Sequence, residues 1–278
     1  MGHRQRATSA LSLLALAPRR GWRYVTARLR PLPDVVIIGT QRGGTTSMQF
    51  WLCSHPMVAP PLDWEKPEVH YFDNNYGRGE RWHRAQLPIR RGSRMTIESS
   101  PYMLFHPLAP ERARRDLPPT TRFIVLLRDP VQRAISHYWL EWGRKIESEA
   151  LDVALALEDE RLAGQRERVL RGERSFRHRH FSYRTRGYYA EQLRRWFDAV
   201  GRERILVVES EQLFADAETS ATVLRWLDLA PFDVPFPAVN EAPRAQAANP
   251  TTVEALRAHF EPHMEELFEL LGHNLWER

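Results

Sequence analysis

An uninterrupted apolar run that ends in a glycine-rich turn is the feature that most constrains how this chain folds. The run "DVVIIG" covers positions 34–39, and "TQRGGTTS" follows at 40–47. A strand without polar alternation is covered on both faces, as in parallel sheets. Such sheets bind ligands beyond the carboxyl ends of their strands, where a following helix offers unpaired amides and a positive dipole end to an anion. The sequence therefore predicts an anion site at residues 40–47.

Three more apolar runs indicate further buried strands. They are "RMTIES" (94–99), "RFIVLLRD" (122–129) and "RILVVES" (204–210), with helix-period segments such as "PVQRAISHYWLEWGRK" between them. This alternation predicts an α/β fold, a P-loop-like three-layer sandwich with a central, mainly parallel sheet flanked by helices. The charged stretch at 147–180 is expected to be a solvated helix, followed by a mobile basic segment within "RGERSFRHRHFSYRTRG".

The domain organisation follows from length and from the character of the first residues. A chain of 278 residues with 42% hydrophobic content allows one large domain, which we assign to residues 31–278, after a basic tail or short helix at 1–30. The apolar stretch at 10–17 is much shorter than the roughly 20 residues that span a bilayer, so no transmembrane anchor is expected. A packed or disordered tail is favoured over a short basic helix in peripheral contact with a membrane.

Cysteine, charge and histidine usage exclude several classes of protein. Cys53 is the only cysteine, which rules out an intrachain disulfide, favours a reducing, cytoplasmic compartment and predicts a buried thiol. The formal net charge of +5 suits an anionic ligand. Neither a helix-turn-helix nor an RNP pattern accompanies it, so we predict no nucleic-acid partner. The histidines show no HExxH or similar ligand spacing, which predicts no metal site.

The glycine-rich turn has the composition of a phosphate-binding loop. Gly43 and Gly44 let backbone amides approach an anion closely. The next three residues add hydroxyl donors, namely Thr45, Thr46 and Ser47. The spacing from Gly39 to Gly44 is that of an ATPase loop, yet Thr45 replaces the lysine and the nearest cation is Arg42. An ordinary magnesium-dependent NTPase loop is therefore disfavoured.

A second motif, "LLRDPVQRAISHYW" at 126–139, predicts a second anion contact. Arg128 ends a buried strand, and Pro130 stands where proline favours the first turn of a helix. Ser136 lies eight residues beyond Arg128 on that helix. An arginine at a strand end and a nearby helical hydroxyl can hold a phosphate through charge-assisted hydrogen bonds.

These motifs resemble those of a known family, the PAPS-dependent sulfotransferases. "GTQRGGTTS" is similar to the loop that binds the 5′-phosphosulfate of 3′-phosphoadenosine 5′-phosphosulfate (PAPS), and "RDPVQRAISHY" is similar to the 3′-phosphate motif. "KPEVHYFDNNYGRGERWHRAQLP" at 66–88 resembles the carbohydrate branch, the heparan sulfate sulfotransferases and their bacterial relatives. The resemblance extends from about Pro33 to the carboxyl terminus.

The resemblance implies an activity and a set of site residues. PAPS would be the co-substrate, no metal would be needed, and the acceptor would be a hydroxyl, or less favourably an amine, of a carbohydrate or glycosylated natural product. It implies Glu68 as general base, with His70 and Asp73 in support. In an extended segment Glu68 and His70 would point the same way. Arg42 would neutralise charge on the leaving nucleotide, and Arg244 is a candidate for a further 3′-phosphate contact.

Departures from the family pattern leave alternatives open. Heparan sulfate enzymes commonly read "EKTPAY" where this chain reads "ESSPYM", so Ser99 replaces a lysine that contacts cofactor and substrate. One alternative is a kinase-like P-loop enzyme, for which Asp129 could supply a magnesium carboxylate. Another is a nucleotide-binding module without catalytic activity. Trp82, close after the base motif, is the best candidate for stacking on a sugar. The sequence does not reveal the acceptor or the oligomeric state.

Overall fold

The computed structural model describes residues 21–90, 92, 94–237 and 248–277. Its centre is a sheet of four parallel strands in the order β2-β1-β3-β4. The strands are β1 (Val35–Gly39), β2 (Ile97–Ser99), β3 (Arg122–Leu127) and β4 (Ile205–Glu209). All four predicted strands are therefore present, and their parallel arrangement confirms the predicted fold class.

The apolar runs form strands here because both of their faces are covered. Every residue of β1 is buried. Val36 and Ile38 pack into one layer with the helical Trp196, while Val35 and Ile37 pack into the opposite layer. Successive side chains of a strand point to opposite faces, so a strand inside a three-layer sandwich must be apolar at every position.

Helices surround the sheet on both faces. The long helices are α1 (Thr45–Ser54), α3 (Ala109–Asp116), α4 (Pro130–Gly143), α9 (Tyr189–Val200), α11 (Ala217–Trp226) and α12 (Pro250–Leu271). The short ones are α2 (Glu80–Ala85), α5 (Leu151–Ala156), α6 (Glu158–Leu162), α7 (Gln165–Leu170), α8 (Phe176–His180) and α10 (Ser210–Ala215). A π-helical turn at Tyr71–Asn75 precedes α2. Helix α4 begins at Pro130, as predicted, and Asp129 caps it by accepting a hydrogen bond from the Gln132 amide at 2.7 Å.

The part of the basic segment that follows α8 is largely buried, which corrects the expectation of a solvated stretch, whereas residues 171–174 are exposed as expected. Tyr183 is 0% and Arg186 1% exposed. The Glu158 carboxylate accepts hydrogen bonds from the amides of Arg184 and Thr185 at 2.6 and 2.9 Å. The segment therefore packs as an interior element, because its charged groups find partners inside the protein.

Part of the predicted tail packs against the domain. Residues 21–25 are helical, a 3-10 turn follows at Thr26–Leu29, and Ala27 is buried. The Arg84 guanidinium of α2 donates to the Arg30 carbonyl at 2.7 Å. Among the described helices, none combines the length and the apolar character needed to cross a membrane. Cys53 is buried as predicted, and burial raises the pKa of its thiol to about 12.

Candidate active site

The glycine-rich turn connects β1 to α1 and leaves the amino terminus of α1 open to a ligand. Gly44 adopts a left-handed conformation, with φ of 82°, immediately before the helix. A Cβ atom at Gly44 would lie 2.5 Å from the Phe214 ring, so only glycine fits without displacing that side chain. As a glycine, Gly44 has no side chain with which to cap the amino terminus of α1. The open end of the helix dipole therefore faces the cleft that the turn borders.

Hydrogen bonds from the neighbouring strands hold the turn in place. The Thr40 amide donates to the Leu126 carbonyl of β3 at 2.7 Å. The Ser210 hydroxyl, just after β4, donates to the Gly43 carbonyl at 2.8 Å. Arg128 donates to the Arg42 carbonyl at 3.2 Å. The carboxyl ends of the strands thus fix the backbone that would contact an anion.

A cleft of about 750 Å³ opens above these strand ends. It collects most of the residues that the sequence predicted for the site, namely Arg42, Gly44, Thr45, Thr46, Ser47, Glu68, His70, Arg128 and Ser136. Gly43 does not line the cleft, and a Cβ there would approach the Leu126 carbonyl to 2.9 Å. Arg244 lies outside the residues that the structure describes. The two predicted anion motifs and the predicted base motif therefore share one cleft.

The cleft is strongly basic. Five arginines line it, against two glutamates, Glu68 and Glu211. The arginines are Arg42, Arg128, Arg144, Arg179 and Arg186. Burial lowers the pKa of the Arg42 guanidinium, and the charges of Arg128 and Arg144 lower it further. An anion in the cleft would relieve this mutual repulsion, so the site is suited to a multiply charged anionic ligand.

Sequence reasoning missed Arg186, which reaches the cleft from the buried basic segment. Its guanidinium hydrogen-bonds to the Gln41 side chain in the glycine-rich turn and to Ser182. The same group lies over the Tyr102 ring, 4.8 Å from the centroid. The sequence signal was the basic composition of "RGERSFRHRHFSYRTRG", which we predicted to be a mobile segment. Its placement makes Arg186 a link between that segment and the turn.

Glu68, His70 and Asp73 form a hydrogen-bonded chain at the edge of the cleft. The two His70 ring nitrogens lie 2.9 Å from the Glu68 carboxylate and 2.8 Å from the Asp73 carboxylate. Asp73 is buried, whereas the Glu68 side chain is 37% exposed. Glu68 and Asp73 therefore both lie within hydrogen-bonding distance of His70, with the Asp73 carboxylate inside the protein and the Glu68 carboxylate at the surface of the cleft.

The protonation state of His70 follows from the two carboxylates that it contacts. Burial by itself lowers the pKa of His70, but Asp73 and Glu68 outweigh it and raise that pKa to about 9. Burial likewise opposes ionisation of Asp73, yet His70 holds the pKa of Asp73 below its usual range. At neutral pH His70 is thus an imidazolium that donates to both carboxylates.

The backbone of this segment differs from the extended conformation that we predicted. Glu68 forms a parallel bridge with Ser99 at the end of β2, but His70 is left-handed, with φ of 54°. The π-helical turn starts immediately afterwards. The side chains of Glu68 and His70 meet because of this sharp bend and not because of strand alternation. Ser99, which replaces the lysine of the heparan sulfate enzymes, is buried and does not line the cleft. This position therefore supplies no positive charge to the cleft.

A second cavity, of about 590 Å³, meets the cleft at Glu68 and His70, which line both. Trp82, Lys66 and Arg78 also line it. The Arg78 guanidinium lies over the Trp82 ring, 5.1 Å from its centroid. Glu68 and His70 therefore stand at the junction of the two cavities. Over the described ranges, no group of three or more histidine, cysteine or acidic side chains could hold a metal ion.

Comparison with known proteins gives a family match for most of the chain. The model of the sulfotransferase domain matches residues 32–230. A solved structure, a sulfotransferase from Alicyclobacillus acidocaldarius, superposes with a TM-score of 0.69 at 25% identity, covering 88% of this chain and 97% of the other.

Curated relatives match over shorter shares of their own length. Heparan sulfate glucosamine 3-O-sulfotransferase 5 of Homo sapiens is 35% identical over 112 residues, which cover 40% of this chain and 31% of the relative. The bifunctional heparan sulfate N-deacetylase/N-sulfotransferase 1 of Caenorhabditis elegans is 29% identical over 211 residues, 73% of this chain and 23% of the relative. The matched part of the chain thus spans less than a third of each of these relatives.

Proposed function

Because the chain belongs to the sulfotransferase family, we propose that it transfers a sulfuryl group from PAPS to a hydroxyl group of a carbohydrate or glycosylated natural product. An amine is the less favoured acceptor. The observation that carries this proposal is the position of Glu68, which lines both the arginine-rich cleft and the second cavity. A base at that junction can reach an acceptor in one space and a sulfuryl group in the other.

The residues of the cleft fit the charges of PAPS. The open amino terminus of α1 and the amides of Gly44, Thr45 and Thr46 would receive the 5′-phosphosulfate. Arg128 and Ser136 would hold the 3′-phosphate, since both line the same cleft. Bound PAPS supplies the sulfuryl group and the bisphosphate leaving group.

Each residue at the junction has a distinct role in the proposed reaction. Glu68 accepts the hydroxyl proton at Oε1, because its Oε2 is the atom that hydrogen-bonds to His70. His70 fixes the orientation of Glu68, and the buried Asp73 keeps His70 charged. Arg42 supplies positive charge where the S–O bond to the leaving nucleotide breaks.

The second cavity is the proposed acceptor site. Its lining combines the Trp82 ring with Lys66 and Arg78, which suits a saccharide that carries carboxylates or sulfates. The names of the relatives point to heparan sulfate as the first acceptor to examine. We further propose that residues 31–278 act as one domain and that the chain works in the cytoplasm, where its single cysteine stays reduced.

The kinase-like alternative is disfavoured by the position of Asp129. Its carboxylate accepts a hydrogen bond from the Gln132 amide as the cap of α4, which satisfies it without a metal ion. A module without catalytic activity would have no use for a base at the junction of two cavities.

The experiment is to incubate the full chain with PAPS and a panel of acceptors, and to analyse products by mass spectrometry. The panel contains heparan oligosaccharides, neutral oligosaccharides and amino sugars. The proposal predicts that sulfated product forms with PAPS even in the presence of EDTA. ATP should not replace PAPS. Phosphorylated product with ATP and magnesium would identify a kinase, and absence of any turnover would identify a binding module.

A further inference from the structure

A buried chain of polar side chains lies directly behind the Glu68–His70 segment. The His70 amide donates to the Ser100 hydroxyl at 2.8 Å, and that hydroxyl lies 3.3 Å from Glu98 Oε1. Glu98 Oε2 lies 2.6 Å from His83 Nε2. Ser100, Glu98 and His83 are all fully buried. None of the three lines the large cleft, so direct contact with the donor does not explain them.

The available protons determine which group donates and which accepts in each of these hydrogen bonds. His83 Nδ1 is buried and has no partner among the residues that the structure describes, so the ring proton belongs on Nε2, where it is donated to Glu98. The Ser100 hydroxyl has a single proton, and Glu98 is its acceptor. The Ser100 oxygen is thereby left to accept from the His70 amide.

His83, at the other end of this series of hydrogen bonds, contacts the residues that follow His70. The His83 ring stacks on Tyr71, with centroids 4.2 Å apart and planes 9° apart. The His83 and Phe72 rings also pack edge to face, with centroids 5.2 Å apart. The backbone of Glu68, on the other side of His70, bridges to Ser99. The end of β2 and the His83 ring therefore hold the segment before, at and after His70.

We propose that Ser100, Glu98 and His83 are positioning residues that hold His70 in the left-handed conformation from which it reaches Glu68 and Asp73. This inference rests on the proposed function for its effect on turnover. It concerns buried polar residues that line neither of the two cavities, and it gives them a role in the reaction.

The left-handed conformation of His70 is maintained only if neighbouring groups fix its backbone. L-residues rarely adopt φ of 54°, and a residue in that conformation relaxes when its surroundings do not fix it. A rotation at His70 would move its ring away from at least one of the two carboxylates. Glu98 must be buried to reach both Ser100 and His83, and a buried carboxylate is stable only while both donors are present.

The test compares three variants of the full chain. Ser100→Ala removes the acceptor of the His70 amide, whereas Ser100→Thr keeps a hydroxyl at the same place. Thr96→Val is the matched control, because Thr96 lies just before β2, is fully buried, and has a hydroxyl without a partner in the described ranges. Each variant is examined for single-turnover rate with PAPS and a heparan oligosaccharide, for affinity for adenosine 3′,5′-bisphosphate, and for the titration of His70 by NMR.

We expect Ser100→Ala to slow the single turnover roughly 10- to 100-fold, the range that a misplaced reactive group produces, with unchanged bisphosphate affinity. The pKa of His70, which faces the carboxylates of Glu68 and Asp73, should fall from about 9 towards its ordinary value. Ser100→Thr should retain the wild-type turnover rate and the wild-type pKa of His70. Thr96→Val should alter neither of these.

Two results would overturn the proposal: a Ser100→Ala protein with wild-type turnover and His70 titration, or a Ser100→Thr protein no better than Ser100→Ala. If Ser100→Ala does not fold, Glu98→Gln takes its place, since an amide cannot accept from Ser100 and His83 at both of its ends. The NMR titration needs no substrate. A chain that transfers no sulfuryl group would therefore refute the proposed function while the positioning of His70 is still tested.

Discussion

Arg42 donates from its Nε to the Ser136 hydroxyl at 2.9 Å, which joins the glycine-rich turn to helix α4. The sequence assigned these residues to two different anions, the phosphosulfate and the 3′-phosphate. Their contact joins the two predicted anion positions into one continuous site. Arg42 itself has φ of 73°, so the turn presents its side chain from a conformation that few L-residues adopt.

A double-mutant cycle should detect this contact. Arg42→Ala and Ser136→Ala each weaken binding of adenosine 3′,5′-bisphosphate, and the double variant should lose less than the sum of the two. Residues in contact usually show interaction energies of about 0.5 to 3 kcal/mol. Calorimetry on the four proteins measures the term. Strict additivity would mean that the two residues bind their anions independently.

Arg128→Ala should remove most of the preference for adenosine 3′,5′-bisphosphate over AMP. A hydrogen bond to a charged group contributes about 1.5 to 3 kcal/mol, so the preference should fall roughly 10- to 150-fold. Arg122→Ala is the matched control, because Arg122 stands at the opposite end of the same strand and pairs with Asp228. Calorimetry with both nucleotides gives the result. An unchanged preference would place the 3′-phosphate elsewhere.

Gly44→Ala should damage the turn by more than backbone strain alone. A left-handed alanine costs about 1 to 2 kcal/mol wherever it occurs. At Gly44 the new Cβ would also lie 2.5 Å from the Phe214 ring, whereas at Gly272, which has the same φ of 82°, it meets nothing within 4 Å. Thermal unfolding should therefore show a larger loss for Gly44→Ala than for Gly272→Ala. Only Gly44→Ala should weaken bisphosphate binding.

The sequence predicted those parts of the fold and site that depend on local patterns. Continuous apolar runs are typical of parallel strands that are covered on both faces, and their short length and β-branched residues favour a strand over a buried helix. Proline at position 130 and the left-handed glycine at position 44 have local conformational causes, so their structural roles followed from residue type. The strand order places the two anion motifs side by side on β1 and β3.

The parts that the sequence did not predict depend on long-range partners. Arg186 looks like a surface cation in the sequence, and its burial is made tolerable by hydrogen bonds to Gln41, Ser182 and the Arg179 carbonyl and by the rings of Tyr102 and Phe105. The bend at His70 likewise depends on Ser100, thirty residues away in the chain. No periodicity within a single segment carries such information.

Glu68→Gln should leave the fold and the bisphosphate affinity intact while turnover falls. The amide is nearly isosteric, and the proposed nucleotide contacts lie elsewhere in the cleft. General-base catalysis contributes roughly 10²- to 10⁴-fold, which sets the expected decrease in single-turnover rate. Glu65→Gln, an exposed glutamate three positions earlier, is the control. Near-wild-type turnover in Glu68→Gln would remove this residue from the mechanism, and loss of both properties would make it structural.

The stability that His70 contributes should disappear at alkaline pH. Its pKa is raised from 6.5 to about 9 by Asp73 and Glu68. The folded protein therefore binds the proton more tightly than the unfolded chain, and the contribution is complete below pH 6.5 and declines as pH rises through about 9. The free energy of unfolding in urea, compared between wild type and His70→Gln, should differ most on the acid side of this window and least above it. His273→Gln, at an exposed histidine, is the control substitution. A constant difference between wild type and His70→Gln across the window would mean that His70 does not carry the charge that its two carboxylates impose.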